Sequence, residues 1–474
     1  MKRLPGIFLP LIFLAGCAAG PDYVRRDPDV PSAWLHANRT VDSARTADLT
    51  YWWRQLNDPL LAELVEEALN NSPDMRSARA RLLESRARTD LADAGLFPSL
   101  KASLSKNRSK TGSGATTDLY SAGFDASWEL DLFGGQRRAA EAADADAGAA
   151  LANLHDTQVS LSAEVALNYV QLRSYQARLQ IARDNLAAQG ETLQITEWRE
   201  QAGLVTTLEV EQARSNLSQT RAAIPALNTG LTKAENRLAL LLGKFPAALH
   251  DRLSAPADLP ALPDAIALGI PADTLRQRPD VRAAERKVAA ETARIGQATA
   301  ALYPSFSLNG SLGWKAFSFG ALGGSDTLAR SVSAGIAQTL FDGGSTGSRV
   351  RAQNAVQQQA LIAWEKTVLG ALEDVENSLA AYANSRERKS ALQAAAASAR
   401  NAAQIARQRY ESGIIDYQSV LDTERSLLSS EDGLASAGMD ELAALIGLYK
   451  ALGGGWRDDA ATTSDPEISQ GGKP

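Results

Sequence analysis

Few side chains in this chain could do covalent chemistry, and their spacing narrows the choice to one. The single cysteine, Cys17, follows Leu14-Ala15-Gly16. Ahead of it stand a positive Lys2-Arg3 pair and an apolar stretch from Leu4 to Leu14, the layout of a secretion signal. Small residues before a cysteine at that point resemble a lipobox, so residues 1–16 are expected to be removed and Cys17 to carry lipid. Ala18 follows, not aspartate, which resembles the outer-membrane sorting pattern. Acyl chains add about 0.8 kcal/mol per buried methylene, and more than one chain anchors durably. One cysteine excludes an intrachain disulfide, a multi-thiolate zinc site and a Cys-ligated iron–sulfur cluster. The three histidines, His36, His155 and His250, are too scattered for a metal site. No nucleophile–base constellation or phosphate-cradling loop is present; Gly134-Gly135 and Gly453-Gly454-Gly455 read as turns and a helix end. The residues point away from an enzyme and to no cofactor or metal beyond the covalent lipid on Cys17.

The elements that could use such an anchor are long and repetitive. The chain has 474 residues, 45% hydrophobic and 22% charged, with 49 basic against 55 acidic groups. That balance argues against a nucleic-acid face. No apolar run beyond the first 20 residues is long enough for a membrane helix. Pro73-Asp74-Met75-Arg76 recurs as Pro279-Asp280-Val281-Arg282, and Phe97-Pro98-Ser99-Leu100 as Tyr303-Pro304-Ser305-Phe306, both offset by 206. Gly203-Leu204-Val205 recurs as Gly413-Ile414-Ile415, offset by 210. Ordered matches of this kind indicate a tandem repeat of about 208 residues.

Each repeat carries a long helix. Gln136 to Glu200 lacks proline and places Leu151, Leu154, Gln158, Leu161, Val165, Asn168, Leu172, Tyr175, Leu179, Ala182, Leu186, Gln189 and Leu193 at alternating spacings of 3 and 4. This is the seam of a coiled coil. Ser345 to Glu411 matches it in the second repeat. Some 65 residues of helix span roughly 100 Å. Return helices are expected over 206–243 and 416–451, and single helices over 59–95 and 273–301, with a Pro-rich linker between the repeats.

Between helices the period switches to 2. Tyr120, Ala122, Phe124, Ala126, Trp128, Leu130 and Leu132 alternate with polar residues or glycine. Leu100, Ala102 and Leu104 do so more weakly, as do Phe306 to Trp314 and Val332 to Leu340. Each run is about the 9–11 residues of a tilted membrane strand. Pro98 and Pro304 stop the preceding helices, and Gly134-Gly135 and Gly343-Gly344 turn the strands back into helix. Phe97, Phe133, Tyr303 and Phe341 mark those elbows at one level, where aromatic rings suit a membrane interface. Loops rich in Gly, Ser and Thr are expected over 105–118 and 315–327. Four strands cannot close a barrel, and open edges cannot sit in lipid, so copies of the chain must close the sheet together.

Taken together, Cys17, Trp52-Trp53, the duplicated Pro-Asp and Tyr/Phe-Pro-Ser elbows, Phe133-Gly134-Gly135 and the Gly203 and Gly413 motifs resemble the TolC-like outer-membrane factors, specifically their lipoprotein branch in multidrug efflux. The resemblance covers residues 17–455. It implies a mainly α protein with a membrane β-barrel: a homotrimer with a 12-stranded barrel, four strands per chain, continued by a periplasmic α-helical coiled-coil barrel. It implies a periplasmic adaptor and an inner-membrane pump of the RND type as partners, no nucleic acid, and residence in the outer membrane with extension into the periplasm. The helix tips at Gly203, Leu204, Val205, Thr206 and at Gly413, Ile414, Ile415, Asp416 correspond to the adaptor-contacting hairpins. Val420-Leu421-Asp422-Thr423-Glu424-Arg425 matches the family's Leu-Asp-x-x-Arg constriction. On that match Asp422 forms a ring of carboxylates around the trimer axis, Arg425 bridges helices, and Tyr410 is a gate-region tyrosine. Ser419 stands where some members carry a second acidic ring, so a double-ring gate is not expected.

The expected organisation is a signal peptide over 1–16 and a lipidated segment with equatorial part over 17–58. Repeats over 59–258 and 259–455 follow, with a tail over 456–474. Rival readings are the outer-membrane component of type I protein secretion, metal efflux, and a lipid-anchored periplasmic coiled-coil scaffold.

Overall fold

The computed structural model describes residues 18–28, 30–36, 41–42, 49–263, 266–267 and 271–457. The expected signal peptide, the lipid site Cys17 and residues 458–474 lie outside the described residues. The chain is mainly helical, with a four-stranded antiparallel sheet and a small parallel strand pair. In chain order, β1 is Val41–Asp42, and a 3-10 helix covers Trp52–Leu56. Helix α1 is Pro59–Asn71 and α2 is Pro73–Ala94. Strands β2 (Ser99–Ser109) and β3 (Thr117–Leu130) lead into α3 (Gly135–Gln201) and α4 (Thr207–Leu241). Then come α5 (His250–Leu253), β4 (Ile266–Ala267), α6 (Pro271–Gln277) and α7 (Pro279–Ala300). Strands β5 (Ser305–Ala316) and β6 (Leu328–Ala337) precede α8 (Ser345–Glu411) and α9 (Tyr417–Ala451). The paired elements have equal lengths: 67 residues for α3 and α8, 35 for α4 and α9, 22 for α2 and α7.

Two expectations are corrected. The stretches 59–95 and 273–301 are not single helices. Each breaks one residue before its Pro-Asp motif, at Ser72 and at Arg278. Proline has no N–H to continue the ladder but fits the first turn of a new helix. Ser72 Oγ then accepts from Asp74 N at 3.2 Å, serving the new N-terminus. The loops expected over 105–118 and 315–327 are also shorter, lying between Ser109 and Thr117 and between Ala316 and Leu328. The β2–β3 ladder runs on to Ser109 paired with Thr117, and Arg108 clasps Asp118 at 2.6 and 2.7 Å.

The chain divides into two compact units. The first comprises Met1–Pro28, Ala80–Leu151 and Arg282–Lys366 and holds the sheet, in the order β2-β3-β5-β6. Its register aligns the apolar positions across all four strands. Leu104 pairs with Ala122 and Ala122 with Trp314; Phe124 pairs with Leu312, Trp128 with Leu308, Leu130 with Phe306, and Phe306 with Ile336. A one-residue slip would put each strand's set on the opposite face. Ser103, Asp125, Ser127 and Asn309 occupy the other face and bond to one another there.

The second unit comprises Asp29–Arg79, Ala152–Val281 and Thr367–Pro474 and holds the main apolar core. Trp52, Leu61, Val165, Tyr169, Leu172, Leu238, Ile446 and Tyr449 are buried there, with Trp52 stacked on Tyr449 at 5.2 Å. Asp58 caps α1 by accepting from Leu61 N at 3.0 Å and also accepts from Tyr169 Oη at 2.7 Å, tying α1 to α3. A separate apolar cluster of Ala213, Ala406, Tyr410, Tyr417, Val420 and Leu421 lies near the ends of the long helices.

Candidate functional site

The two helix tips are built alike. Gly203 and Gly413 adopt φ of 70° and 75°, a left-handed conformation that a side chain would strain. Gly203 N donates to Glu200 O and Leu204 N to Arg199 O; Gly413 N donates to Tyr410 O and Ile414 N to Arg409 O, all at 2.8–2.9 Å. These bonds satisfy the last carbonyls of α3 and α8 and reverse the chain. The turns leave Leu204 and Ile414 about 70% exposed while Val205 and Ile415 are half-buried beneath them. Thr206 and Asp416 occupy the N-cap positions of α4 and α9, and only Asp416 caps with its side chain. It accepts from Ser419 N at 3.0 Å and Ser419 Oγ at 2.7 Å, which holds its carboxyl below the usual range.

Just inside the tips, Tyr410 is 1% exposed. Its hydroxyl is 3.0 Å from Thr196 Oγ1, and its ring meets Tyr417 edge-on at 6.0 Å. Burial raises the pKa of both phenols. The Arg199 guanidinium lies 4.5 Å over the Tyr410 ring and donates to its carbonyl. Tyr410 therefore clamps α3 to α8. Asp422 and Arg425 take other partners. Asp422 is exposed and accepts from Gln418 Nε2 at 3.0 Å, whereas Arg425 Nε donates to Asn216 Oδ1 of α4 at 3.4 Å. Within one chain the three expected gate residues do not form one constellation. Tyr410 joins α3 and α8, Arg425 joins α4 and α9, and Asp422 is left open to solvent.

Sequence reasoning missed the residue between them. Glu424 is 3% exposed and touches Thr192 of α3, Asn216 of α4 and Arg407 of α8. The available signal was an acid in register with Val420 and Leu421, on the apolar stripe of α9.

In the first unit the four aromatics expected at a membrane interface lie at the elbows, just outside the strands. Phe133 and Tyr303 stack at 4.7 Å, while Phe97 and Phe341 stand exposed beside β2 and β6. The segment after Cys17 docks at the same elbow. Ala19 N donates to Phe133 O at 2.8 Å, and Arg138 donates to Ala19 O at 3.3 Å and to Asp22 at 2.5 Å. Among the described residues, no group of three or more His, Cys, Asp or Glu is placed to hold a metal ion, and no helix is long and apolar enough to cross a membrane.

A sheet with one apolar face, feeding directly into 67-residue helices that end in paired tips, defines the class of outer-membrane channel proteins. Comparison with known proteins places it further. The pattern of the outer membrane efflux protein family matches residues 64–244 and 270–454, and the chain belongs to that family. It is 31% identical over 444 residues to the pyoverdine export outer membrane protein OpmQ of Pseudomonas putida, covering 91% of this chain and 93% of that protein. It is 32% identical over 465 residues to the cation efflux system protein CusC of Escherichia coli, covering 96% and 99%. Among solved structures, the outer-membrane channel OprN superposes with a TM-score of 0.87 at 40% identity, covering 93% of this chain and 100% of that one. The open state of the MtrE outer membrane channel of Neisseria gonorrhoeae gives 0.81 at 29% identity, covering 93% and 99%. The protein is an outer-membrane component of an efflux system.

Proposed function

We propose that three copies of this chain close a 12-stranded barrel and form the exit duct of a tripartite efflux system. The observation that carries this is the sheet. Strands β2 and β6 are its two open edges, and an apolar face runs across all four strands. Unpaired edge N–H and C=O groups each cost several kcal/mol in hydrocarbon, so the edges must pair with another copy. The helices adjoining those edges support the same closure. Exposed Leu83 and Leu91 on α2, and Val356, Ile362 and Leu369 on α8, give apolar faces for a neighbouring copy to cover. Equal element lengths support descent of the two halves from one duplicated unit.

Cys17 carries the lipid anchor, and docking of Ala18 and Ala19 at the Phe133 elbow holds it level with the interface aromatics Phe97, Phe133, Tyr303 and Phe341. The exposed tips around Leu204 and Ile414 receive a periplasmic adaptor, which joins the duct to an RND-type inner-membrane pump. Asp422 from three copies lines the periplasmic mouth and favours cations, and Arg425 restrains it through α4. The duct catalyses no reaction and needs no cofactor. It does not select the cargo: relatives at 31–32% identity are named for pyoverdine export, toluene efflux and cation efflux. Light scattering of the detergent-purified protein tests the assembly. A heat-modifiable trimer is expected, and a monomer that stays soluble without detergent after removal of Cys17 would sink the proposal.

A further inference from the structure

The gate assignment makes no use of Glu424, although four helices meet on its carboxyl group. On α9, two residues past Asp422, it faces the opposite way and is enclosed. Its Oε1 lies 2.9 Å from Thr192 Oγ1 of α3 and 3.7 Å from Arg407 Nη2 of α8. Its Oε2 lies 3.4 Å from Asn216 Nδ2 of α4. The other groups nearby do little for a negative charge. Arg425 is turned to Asn216, Tyr417 is a buried phenol, and Gln189, one turn from Thr192, is a buried amide with no hydrogen-bond partner. Arg407 Nε is likewise buried without one.

The α8–α9 pairing shows why this position differs from its neighbours. Further from the tips, Lys389 meets Glu441 at 2.7 Å and Arg400 meets Glu431 at 2.6 Å. The bases are 11 and 7 residues apart and the acids 10 and 7, spacings near whole helical turns that keep the rungs along one seam. The Arg407–Glu424 rung, at 3.7 Å, is beyond hydrogen-bond length. Glu424 therefore has one full-strength hydrogen bond, and that bond suits a protonated carboxyl as well as a carboxylate. Thr192 Oγ1 has one proton and a second acceptor, Ala188 O, at 3.1 Å. Donating to Ala188 O, it can accept the Glu424 proton. Burial pushes the Glu424 carboxyl above the ordinary glutamate range, with Thr192 and Arg407 opposing.

We infer that Glu424 is a positioning residue for the periplasmic gate, which holds α3, α4, α8 and α9 together as a neutral carboxyl and releases them when it loses its proton. The inference rests on the gate reading above. Its sign follows from linkage. The joined arrangement binds the proton more tightly than a separated one, in which water reaches the carboxyl. Acid therefore favours joined helices and rising pH favours separation.

The test uses the full-length lipidated protein in bilayers. Spin labels at Gln194→Cys on α3 and Ser426→Cys on α9, both exposed positions, report the helix separation between roughly pH 5 and pH 9. Single-channel conductance is recorded over the same range. The distance and the conductance should rise together with pH. Glu424→Gln should hold both at their low-pH values. Arg407→Gln, which removes the charge favouring the carboxylate, should move the midpoint to higher pH. A label distance that ignores pH in the otherwise unaltered chain, or a Glu424→Gln variant that keeps the full pH response, overturns the inference. A distance that responds while conductance does not would support Glu424 as the latch and remove the gate from this end of the duct.

Discussion

Replacing Asp422 and Arg425 together by alanine should open the duct, and the size of the effect reports on assembly. Neither residue is held strongly within its own chain. Asp422 has one solvent-exposed bond, from Gln418 at 3.0 Å, and Arg425 has one long bond, to Asn216 at 3.4 Å. Gln418 and Asp422 both lie on α9, so only the Arg425–Asn216 bond ties one helix to another, and it contributes about 0.5 kcal/mol per chain. If chains opened independently, that would shift the open-to-closed ratio roughly twofold. In a trimer that opens as a unit, three chains lose about 1.5 kcal/mol together, a shift of roughly tenfold. Planar-bilayer recordings read the shift as long-lived high-conductance openings. The loss of three carboxylates should also lower the preference for cations. Asp422→Asn alone should change selectivity with little change in open probability, because the amide keeps the shape and the Gln418 contact. A shift near twofold would refute concerted opening. Unchanged conductance and selectivity would take both residues out of the gate.

Other consequences are separable by location. Phe124→Lys puts a charge at mid-strand on the apolar face of β3, at a cost of about 2–4 kcal/mol per copy in a bilayer, and should reduce the outer-membrane fraction. Asp125→Lys, one residue along on the polar face, should insert normally. Gly296→Val brings a Cβ to within 2.6 Å of Ala19 O and 2.8 Å of Arg138 Cγ, so it should lift the segment after Cys17 and expose residues 18–28 to protease. The Asp416 carboxyl is depressed in the folded chain, so its cap is intact above the unfolded value near pH 4 and is lost as pH falls through the folded value. Amides of 417–420 should lose protection in that window, and Asp416→Asn should abolish the pH dependence; protection that ignores pH in the original chain would remove the cap argument.

The long helices and their ends were legible because their signals are local. The heptad seam from Leu151 to Leu193 needs only periodicity, and the Gly203 and Gly413 reversals need only a residue that tolerates positive φ. The apolar strand faces were legible as alternation, but their extent was not. Polar residues such as Ser105, Asn107 and Ser109 remain in the ladder because the backbone keeps pairing after the apolar residues end. The breaks at Ser72 and Arg278 were hidden because Pro-Asp was read as a repeat marker and not as a helix start. Glu424 was hidden for a different reason. Its sequence neighbours Asp422 and Arg425 supplied the family motif, while its partners lie 17 to 232 residues away. Burial of a carboxyl group among three other helices is a tertiary fact that no local pattern encodes.

Equal lengths conceal an inequality between the two return helices. Helix α9 is zipped to α8 through Glu431 and Glu441, whose side chains are 14% and 5% exposed. Helix α4 meets α3 through Arg214–Glu197 and Arg237–Glu164, in which all four side chains are 39–51% exposed. Exposed pairs contribute little against solvent screening. Helix α4 also contains Pro225, which supplies no N–H to the Arg221 carbonyl one turn earlier. Around it, 221–229 is mostly exposed, whereas the corresponding 431–439 of α9 is half-buried or buried throughout. A missing ladder bond alone weakens the turn by about 1 kcal/mol or more, so amides of 222–229 should exchange roughly fivefold or more faster than those of 432–436. Hydrogen exchange on the assembled protein measures both segments in one experiment. Pro225→Ala should slow the first without altering the second. Equal rates in the original chain would show that packing by other copies, and not the chain's own ladder, sets the stiffness of the return helices.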